Sequence, residues 1–153
     1  MNTRCILFKT NRFNLSKVGA HFINPCCFGQ DLASWLRDKL IAKRVDASAP
    51  GQEDRGWYLI VKSGADGYFL GMSGNTEDNS ANPDDGEWGI IVEKTRTIVQ
   101  RLTGKGRITA GDGMFALVKA VLDGESDFRD VYEETQSSGA PLSLPTPVIP
   151  VLH

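Results

Sequence analysis

The chain has 153 residues, of which 41% are hydrophobic and 24% charged, and its formal net charge is −2. This length and composition predict one globular domain, and the slightly acidic balance argues against a general nucleic-acid-binding surface, which is normally basic. Three cysteines are too few for a disulfide framework, and no apolar run suits a signal peptide or a membrane span, so we expect a cytoplasmic protein that does not bind membranes.

Strand-like and helix-like patterns follow one another along the chain. Strands are predicted at four places: 4–10, 56–64, 68–72 and 88–94, with the second and third forming a hairpin. Helices are predicted where apolar residues recur every three or four positions: 30–43, 95–102 and 110–122. The polar stretch 73–87 is predicted to be a long loop. This order predicts the α+β class, with an antiparallel sheet of four to five strands and two to three helices packed mainly on one face.

The composition changes after residue 134. Residues 135–153 contain four prolines and no Lys, Arg, Asp or Glu. These prolines exclude a helix and disfavour a central strand, which favours an extended tail. We therefore expect a single domain over 1–134 and a Pro-rich tail that docks on its own domain or on a neighbouring subunit, where it could support an oligomer.

Two adjacent cysteines precede the first predicted helix. A helix N-terminus favours the thiolate form of cysteine, so Cys26 or Cys27 could act as a nucleophile with His21 as the base. The spacing to His21 fixes no useful geometry, however, and free cysteine is among the residues most often buried. We therefore favour the interpretation that both cysteines pack at the entrance to the helix.

Metal and phosphate motifs are incomplete. The cysteines and His21 lack the paired spacing of a structural zinc site, and the acidic stretch 77–87 departs from the EF-hand pattern. The segment "LTGKGR" (102–107) lacks the spacing of a P-loop. We therefore expect neither a metal nor another cofactor.

Charge is segregated around the last predicted strand. An acidic block, 77–87, contains no base: its members are Glu77, Asp78, Asp84, Asp85 and Glu87. A basic block, 94–107, contains no acid: its members are Lys94, Arg96, Arg101, Lys105 and Arg107. One interpretation is that these blocks bind a partner of opposite charge, because complementary fields speed and orient association. The alternatives are solvated surface or pairing of the two blocks with one another.

Two more carboxylates, Glu53 and Asp54, lie at the entry to the strand at 56–64. Neighbouring carboxylates can share acid and base roles, but successive residues of a strand point to opposite faces. We favour a buried or paired carboxylate that organises this turn, and we include both residues among the candidate binding residues.

Three segments together resemble a known group: "FINPCCFGQDLASWLRDKL", "GQEDRGWYL" and "EWGIIVEK". Over residues 21–95, the Asn-Pro-Cys, QED-x-GW and W-x-I-x-V-E patterns resemble small stand-alone bacterial proteins that are uncharacterised or similar to immunity proteins. The resemblance implies neutralisation of a partner and supplies no catalytic residues. It adds Pro25, Gln52 and Trp57 to the positions of interest, beside Glu53 and Asp54.

The leading hypothesis is a cytoplasmic bacterial or phage protein without catalysis of its own. It would bind a protein partner through a charged surface patch, as an inhibitor, an immunity protein or a counter-defence protein, and would meet nucleic acid only through such a partner. One alternative is a cysteine-dependent hydrolase or transferase using Cys26 or Cys27 with His21. Another is a sensor of a small ligand, with a pocket lined by four aromatic residues: Trp57, Tyr58, Tyr68 and Trp88.

Overall fold

In the part of the chain that the structure describes, seven antiparallel strands form one open sheet, and two helices of more than ten residues pack against it. This arrangement comes from a computed structural model that describes residues 3–22, 27–54, 56–76, 81–95, 102–103, 108 and 111–134. The strands are β1 (Thr3–Thr10), β2 (Asp46–Ala47), β3 (Gly51–Glu53), β4 (Gly56–Ser63), β5 (Asp66–Thr76), β6 (Gly86–Lys94) and β7 (Arg129–Glu134). The helices are α1 (Gln30–Ala42) and α2 (Gly113–Asp123). The α+β class is therefore confirmed.

The strand order across the sheet is β2-β4-β5-β6-β1-β7, and β3 also pairs with β4. The predicted count of four to five strands is too low, because β2, β3 and β7 are short strands without a clear alternating pattern. The predicted loop at 73–87 is also too long. Gly74 of β5 pairs with Trp88 of β6, and the pairing continues to Thr76 and Gly86, so both strands extend into that segment.

Both helices bury a regular apolar stripe. Three leucines of α1, Leu32, Leu36 and Leu40, are fully buried, as the spacing of four predicts. The side chain of Asp112 accepts hydrogen bonds from the backbone N–H groups of Met114 and Phe115, which caps the first turn of α2. Most of the third predicted helix, 95–102, lies outside the described residues, as does the predicted tail at 135–153.

Side chains of the central strands alternate between two faces of the sheet. The first face, represented by Ile6, Leu59, Leu70 and Ile90, forms one core cluster with the buried residues of α1 and α2. We call the opposite side the second face; it carries the alternate residues Cys5, Leu7, Tyr58, Phe69 and Ile91. Along β4, Trp57, Leu59 and Val61 lie on the first face, and Tyr58 and Ile60 lie on the second.

An arginine connects the loops at one end of the core. The guanidinium of Arg12 lies 4.6 Å from the ring centroid of Phe128 and 5.6 Å from that of Trp35. It also forms ion pairs with Asp127 and, at 2.8 Å, with Glu125. These contacts join the loop after β1, helix α1 and the α2–β7 loop, with cation–π and charge-assisted contributions of about 1 kcal/mol each at such partly exposed positions.

Both edges of the sheet are irregular. Strands β2 and β3 lie one after the other along the outer edge of β4, separated by residues 48–50. In that gap Ile60 donates its backbone N–H to the hydroxyl of Ser48 at 2.9 Å. At the opposite edge, the pairing of β1 with β7 shifts register between Leu7 and Lys9, and Asp130 of β7 has a φ of 53°.

Candidate functional site

The β3–β4 hairpin and the loop before α1 meet at a junction centred on Trp57. The indole N–H of Trp57 donates to the carbonyl oxygen of Cys27 at 3.1 Å. The thiol of Cys27 in turn donates to the carbonyl oxygen of Asp54, with an S···O distance of 3.2 Å. Gly29 has a φ of 137°, and a Cβ there would lie 3.3 Å from the Trp57 ring, so glycine suits both the backbone and the contact. Cys27 is thus held as a packed thiol against the hairpin.

His21 belongs to the same junction through different partners. Its Nε2 lies 2.5 Å from Oε1 of Gln30, and its carbonyl oxygen accepts from the side-chain amide of Gln52 at 2.8 Å. Its ring meets the Trp57 ring edge-on at 6.1 Å. The structure therefore brings His21 and Cys27 to one region, while the contacts of each favour packing over a nucleophile–base pair. Cys26 lies outside the described residues.

The acidic pair is at the tip of the same hairpin. Glu53 ends β3, and Asp54 begins the turn into β4. Burial, followed by the neighbouring carboxylates of Asp54 and Glu93, raises the pKa of Glu53 from 4.5 to about 7. Among the described residues, no hydrogen bond or ion pair joins Glu53 to a base. Glu53 is therefore a partly buried carboxyl whose described ionic surroundings are acidic.

Asp84 and Asp85, two of the described acids of the acidic block, have internal structural roles. Asp84 accepts hydrogen bonds from the backbone N–H of Leu15 at 2.9 Å and from the hydroxyl of Ser16 at 2.8 Å. Both hydrogen bonds lower the pKa of Asp84, and the one from Leu15 has the larger effect. Asp85 lies 2.6 Å from the guanidinium of Arg129. Both residues thus attach the β5–β6 loop to other parts of the fold.

A buried polar cluster lies at the opposite end of the first face. The carboxylate of Asp112 accepts a hydrogen bond from the hydroxyl of Tyr68 at 3.0 Å and lies 3.3 Å from the ammonium of Lys94. Lys94 also lies 3.8 Å from Asp66. Burial, followed by the contact with Asp112, raises the pKa of Tyr68. Asp112 is not among the predicted site residues, although an aspartate just before an apolar helical run is a recognisable N-cap signal.

Of the remaining predicted binding residues, Glu87 is described and the others lie outside the described residues. Glu87 is on β6, on the second face, opposite Lys9 of β1. The other members of the two charged blocks lie outside the described residues: Glu77, Asp78, Arg96, Arg101, Lys105 and Arg107. For the described members, the ionic contacts join Asp85 to Arg129 and Lys94 to Asp66 and Asp112, so none of these contacts joins one block to the other.

The aromatic residues proposed to line a ligand pocket are distributed over both faces. Trp57, Tyr68 and Trp88 are buried in the core cluster of the first face. Tyr58 lies on the second face, where its ring stacks on that of Phe69 with centroids 5.1 Å apart. In the described part of the chain, no group of three or more His, Cys, Asp or Glu side chains is arranged to hold a metal ion.

Comparison with known proteins gives no assignment. No protein-family model, no curated protein and no solved structure matches the chain. Over the same described residues, neither helix has the length and apolar content needed to cross a membrane. What the structure defines is thus an α+β fold with an acidic hairpin packed on a Trp–Cys–His junction.

Proposed function

We propose that this protein acts by binding another protein and has no catalytic reaction of its own. The contact surface in this proposal is the acidic tip of the β3–β4 hairpin, formed by Glu53 and Asp54. The observation that carries it is the environment of Glu53, whose pKa is raised to about 7 by burial and by nearby carboxylates. A carboxyl kept in such a place is unfavourable when ionised, and a basic side chain of a partner would relieve that cost.

The junction below the hairpin supports this role. Three hydrogen bonds of 2.8–3.2 Å hold the hairpin against the loop before α1. They run from Trp57 to the carbonyl of Cys27, from Cys27 to the carbonyl of Asp54, and from Gln52 to the carbonyl of His21. A binding residue on a rigid support loses little conformational entropy when it binds. In this proposal the thiol and the imidazole are structural, which disfavours the cysteine-dependent hydrolase or transferase.

The proposed partner presents Lys or Arg, and the protein belongs among inhibitor, immunity or counter-defence proteins of the cytoplasm. We include in this proposal the resemblance of residues 21–95 to immunity-like proteins, whose QED-x-GW segment contains Glu53 and Asp54. Because the partner binds the ionised form of Glu53, affinity should fall as the pH decreases below about 7.

Affinity purification from the native host tests this proposal. The full chain is compared with Glu53→Gln/Asp54→Asn and with a control, Asp38→Asn/Asp46→Asn, which removes the same charge at two exposed positions. We expect a retained partner whose affinity drops at least tenfold, or about 1.4 kcal/mol, in the hairpin variant and is unchanged in the control. The backbone carbonyl of residue 54 that accepts from Cys27 remains in both variants.

Two outcomes would contradict the proposal. One is the absence of any protein that is retained by the wild-type chain and lost in competition with untagged protein. The other is a partner that binds the hairpin variant as tightly as the wild type, or whose affinity is the same at pH 6 and pH 8.

A further inference from the structure

The second face of the sheet is accessible along strand β4. Ile60 is 41% exposed and Tyr58 is partly exposed, whereas Phe69 on the neighbouring strand is only 4% exposed. On its outer side Ile60 faces the gap between β2 and β3 rather than a paired strand residue. Tyr58 and Ile60 follow one another on the same face of β4, so their side chains form a small apolar surface.

The ring of Tyr58 has a fixed place on this surface. In the register of the β3–β4 hairpin Tyr58 is opposite Gly51, and a Cβ at residue 51 would lie 2.6 Å from the Tyr58 hydroxyl oxygen. Glycine therefore leaves the space over β3 that the phenol end of Tyr58 fills. The ring also stacks on that of Phe69, with centroids 5.1 Å apart. A ring held in this way loses little conformational entropy when a partner covers it.

Glu53 lies beside this ring on the same face of the sheet. It is opposite Gly56 in the hairpin, and Gly56 is two residues before Tyr58 on β4. Diagonal neighbours of this kind lie about 7–8 Å apart, which a long side chain can span. Because Gly56 has no side chain, β4 places nothing between the carboxyl of Glu53 and the ring of Tyr58. From Gly56 to Ile60 the strand advances about 14 Å, so a carboxyl, a ring and an exposed isoleucine follow one another over that distance.

We propose that Tyr58 and Ile60 form one contact surface with Glu53, and that this surface binds an arginine followed by an apolar residue of a protein partner. The inference rests on the proposed function and specifies the chemistry of the partner. A guanidinium can pair with a carboxylate and at the same time lie against an aromatic ring, and an ammonium is less suited to both contacts. Tyrosine and arginine are enriched where binding energy is concentrated, and surrounding contacts exclude water from them.

The dimensions of the surface define a probe for it. In an extended segment, residues i and i+4 are about 14 Å apart and point to the same side. The arginine and the apolar residue are therefore placed at i and i+4, and a small residue at i+2 leaves the Tyr58 ring free for the guanidinium. The probe is the peptide acetyl-Gly-Arg-Ser-Gly-Ser-Leu-Gly-amide. Two further versions replace its arginine by the neutral isostere citrulline or by lysine.

NMR titration of the full chain with each peptide measures binding, through the backbone amide signals of β3 and β4. The variants Tyr58→Leu and Ile60→Thr are compared with Tyr132→Leu and Ile41→Thr. These controls make the same substitutions at residues that are 43% and 44% exposed elsewhere on the fold. Ile60 is exposed and threonine favours strands, so Ile60→Thr keeps the fold and the test remains decisive if Tyr58→Leu does not fold.

We expect saturable binding of the arginine peptide to the wild type, weakened about tenfold or more by Tyr58→Leu, less by Ile60→Thr, and unchanged in both controls. The citrulline peptide should bind about tenfold more weakly than the arginine peptide, with the lysine peptide between them. The absence of saturable binding would overturn the inference, as would equal binding of the arginine and citrulline peptides.

The inference can fail without the proposed function. Weakening by Glu53→Gln, with no change in Tyr58→Leu and Ile60→Thr, would overturn the inference and leave the proposed function standing. Equal weakening by Tyr58→Leu and by its control Tyr132→Leu would do the same. Failure of the proposed function is recognised separately, by a retained partner that binds Glu53→Gln/Asp54→Asn as tightly as the wild type.

Discussion

Replacing Glu53 by Gln should stabilise the fold above neutral pH and leave it unchanged in acid. The pKa of Glu53 is raised from 4.5 to about 7, so the folded chain holds this proton more tightly than the unfolded chain. Below about pH 4.5 both states are protonated and the residue contributes nothing to the free energy of unfolding. Between 4.5 and 7 stability decreases as the pH rises, and above 7 the full cost of ionisation is present.

The size of the stabilisation expected for Glu53→Gln follows from the shift in the pKa of Glu53. Moving the pKa from 4.5 to about 7 corresponds to an upper limit of about 3.4 kcal/mol. Glu53 is only partly buried, so solvent screening reduces the expected gain to about 1–2 kcal/mol. Urea denaturation of the wild type, Glu53→Gln and the exposed control Asp38→Asn at pH 4.5 and pH 8 measures it. The reasoning is refuted if Glu53→Gln has the same effect at both pH values, or if it destabilises the fold at pH 8.

The buried polar groups allow two further predictions. Asp112→Ala should lower the free energy of unfolding by about 3 kcal/mol or more, because it removes a helix cap and leaves the ammonium of Lys94 without its buried partner. Asp112→Asn should retain the cap and lose about half as much stability. The urea midpoints of both variants measure these losses. Trp57→Phe should destabilise the fold by about 1 kcal/mol more than Trp88→Phe, because the indole N–H of Trp57 is hydrogen-bonded and the buried one of Trp88 has no partner in the described part of the chain. Equal losses for the two tryptophan variants would contradict the second prediction.

The long elements could be predicted from the sequence because each carries its own periodic pattern. Leucines four residues apart define α1, and the alternation around Leu59 defines β4. The two residues of β2 and the three of β3 have no such pattern. These residues form strands because the backbone of β4 offers them hydrogen-bonding partners. This pairing depends on the tertiary fold, and no local sequence pattern specifies it.

The candidate site was predictable in part for the same reason. Neighbouring carboxylates at the start of a strong strand pointed to Glu53 and Asp54, and a helix entrance pointed to Cys27. The partners that decide the role of Cys27, a backbone carbonyl at residue 54 and the indole of Trp57, depend on how the hairpin folds back on the loop. These partners lie about 30 residues after Cys27 in the chain, and no sequence motif links them to it.

Stability and binding make opposite demands on Glu53. The substitution that should stabilise the isolated protein is also one of the two that should weaken the proposed complex. A residue retained at a cost to folding is expected where it contributes to a contact with a partner. Measuring unfolding and binding on the same variant therefore separates a residue kept for recognition from one that is merely tolerated.

The irregular edges of the sheet restrict how a partner can be recognised. Peptides that bind by adding a strand need a long, regular row of free backbone groups at a sheet edge. Here one edge is divided between β2 and β3, with Pro50 in the gap, and the other has a register shift and a left-handed backbone at Asp130. Such edges also resist pairing between copies of the chain, which protects against aggregation. The partner that we propose would therefore recognise side chains, and its specificity could change by surface substitutions without altering the sheet.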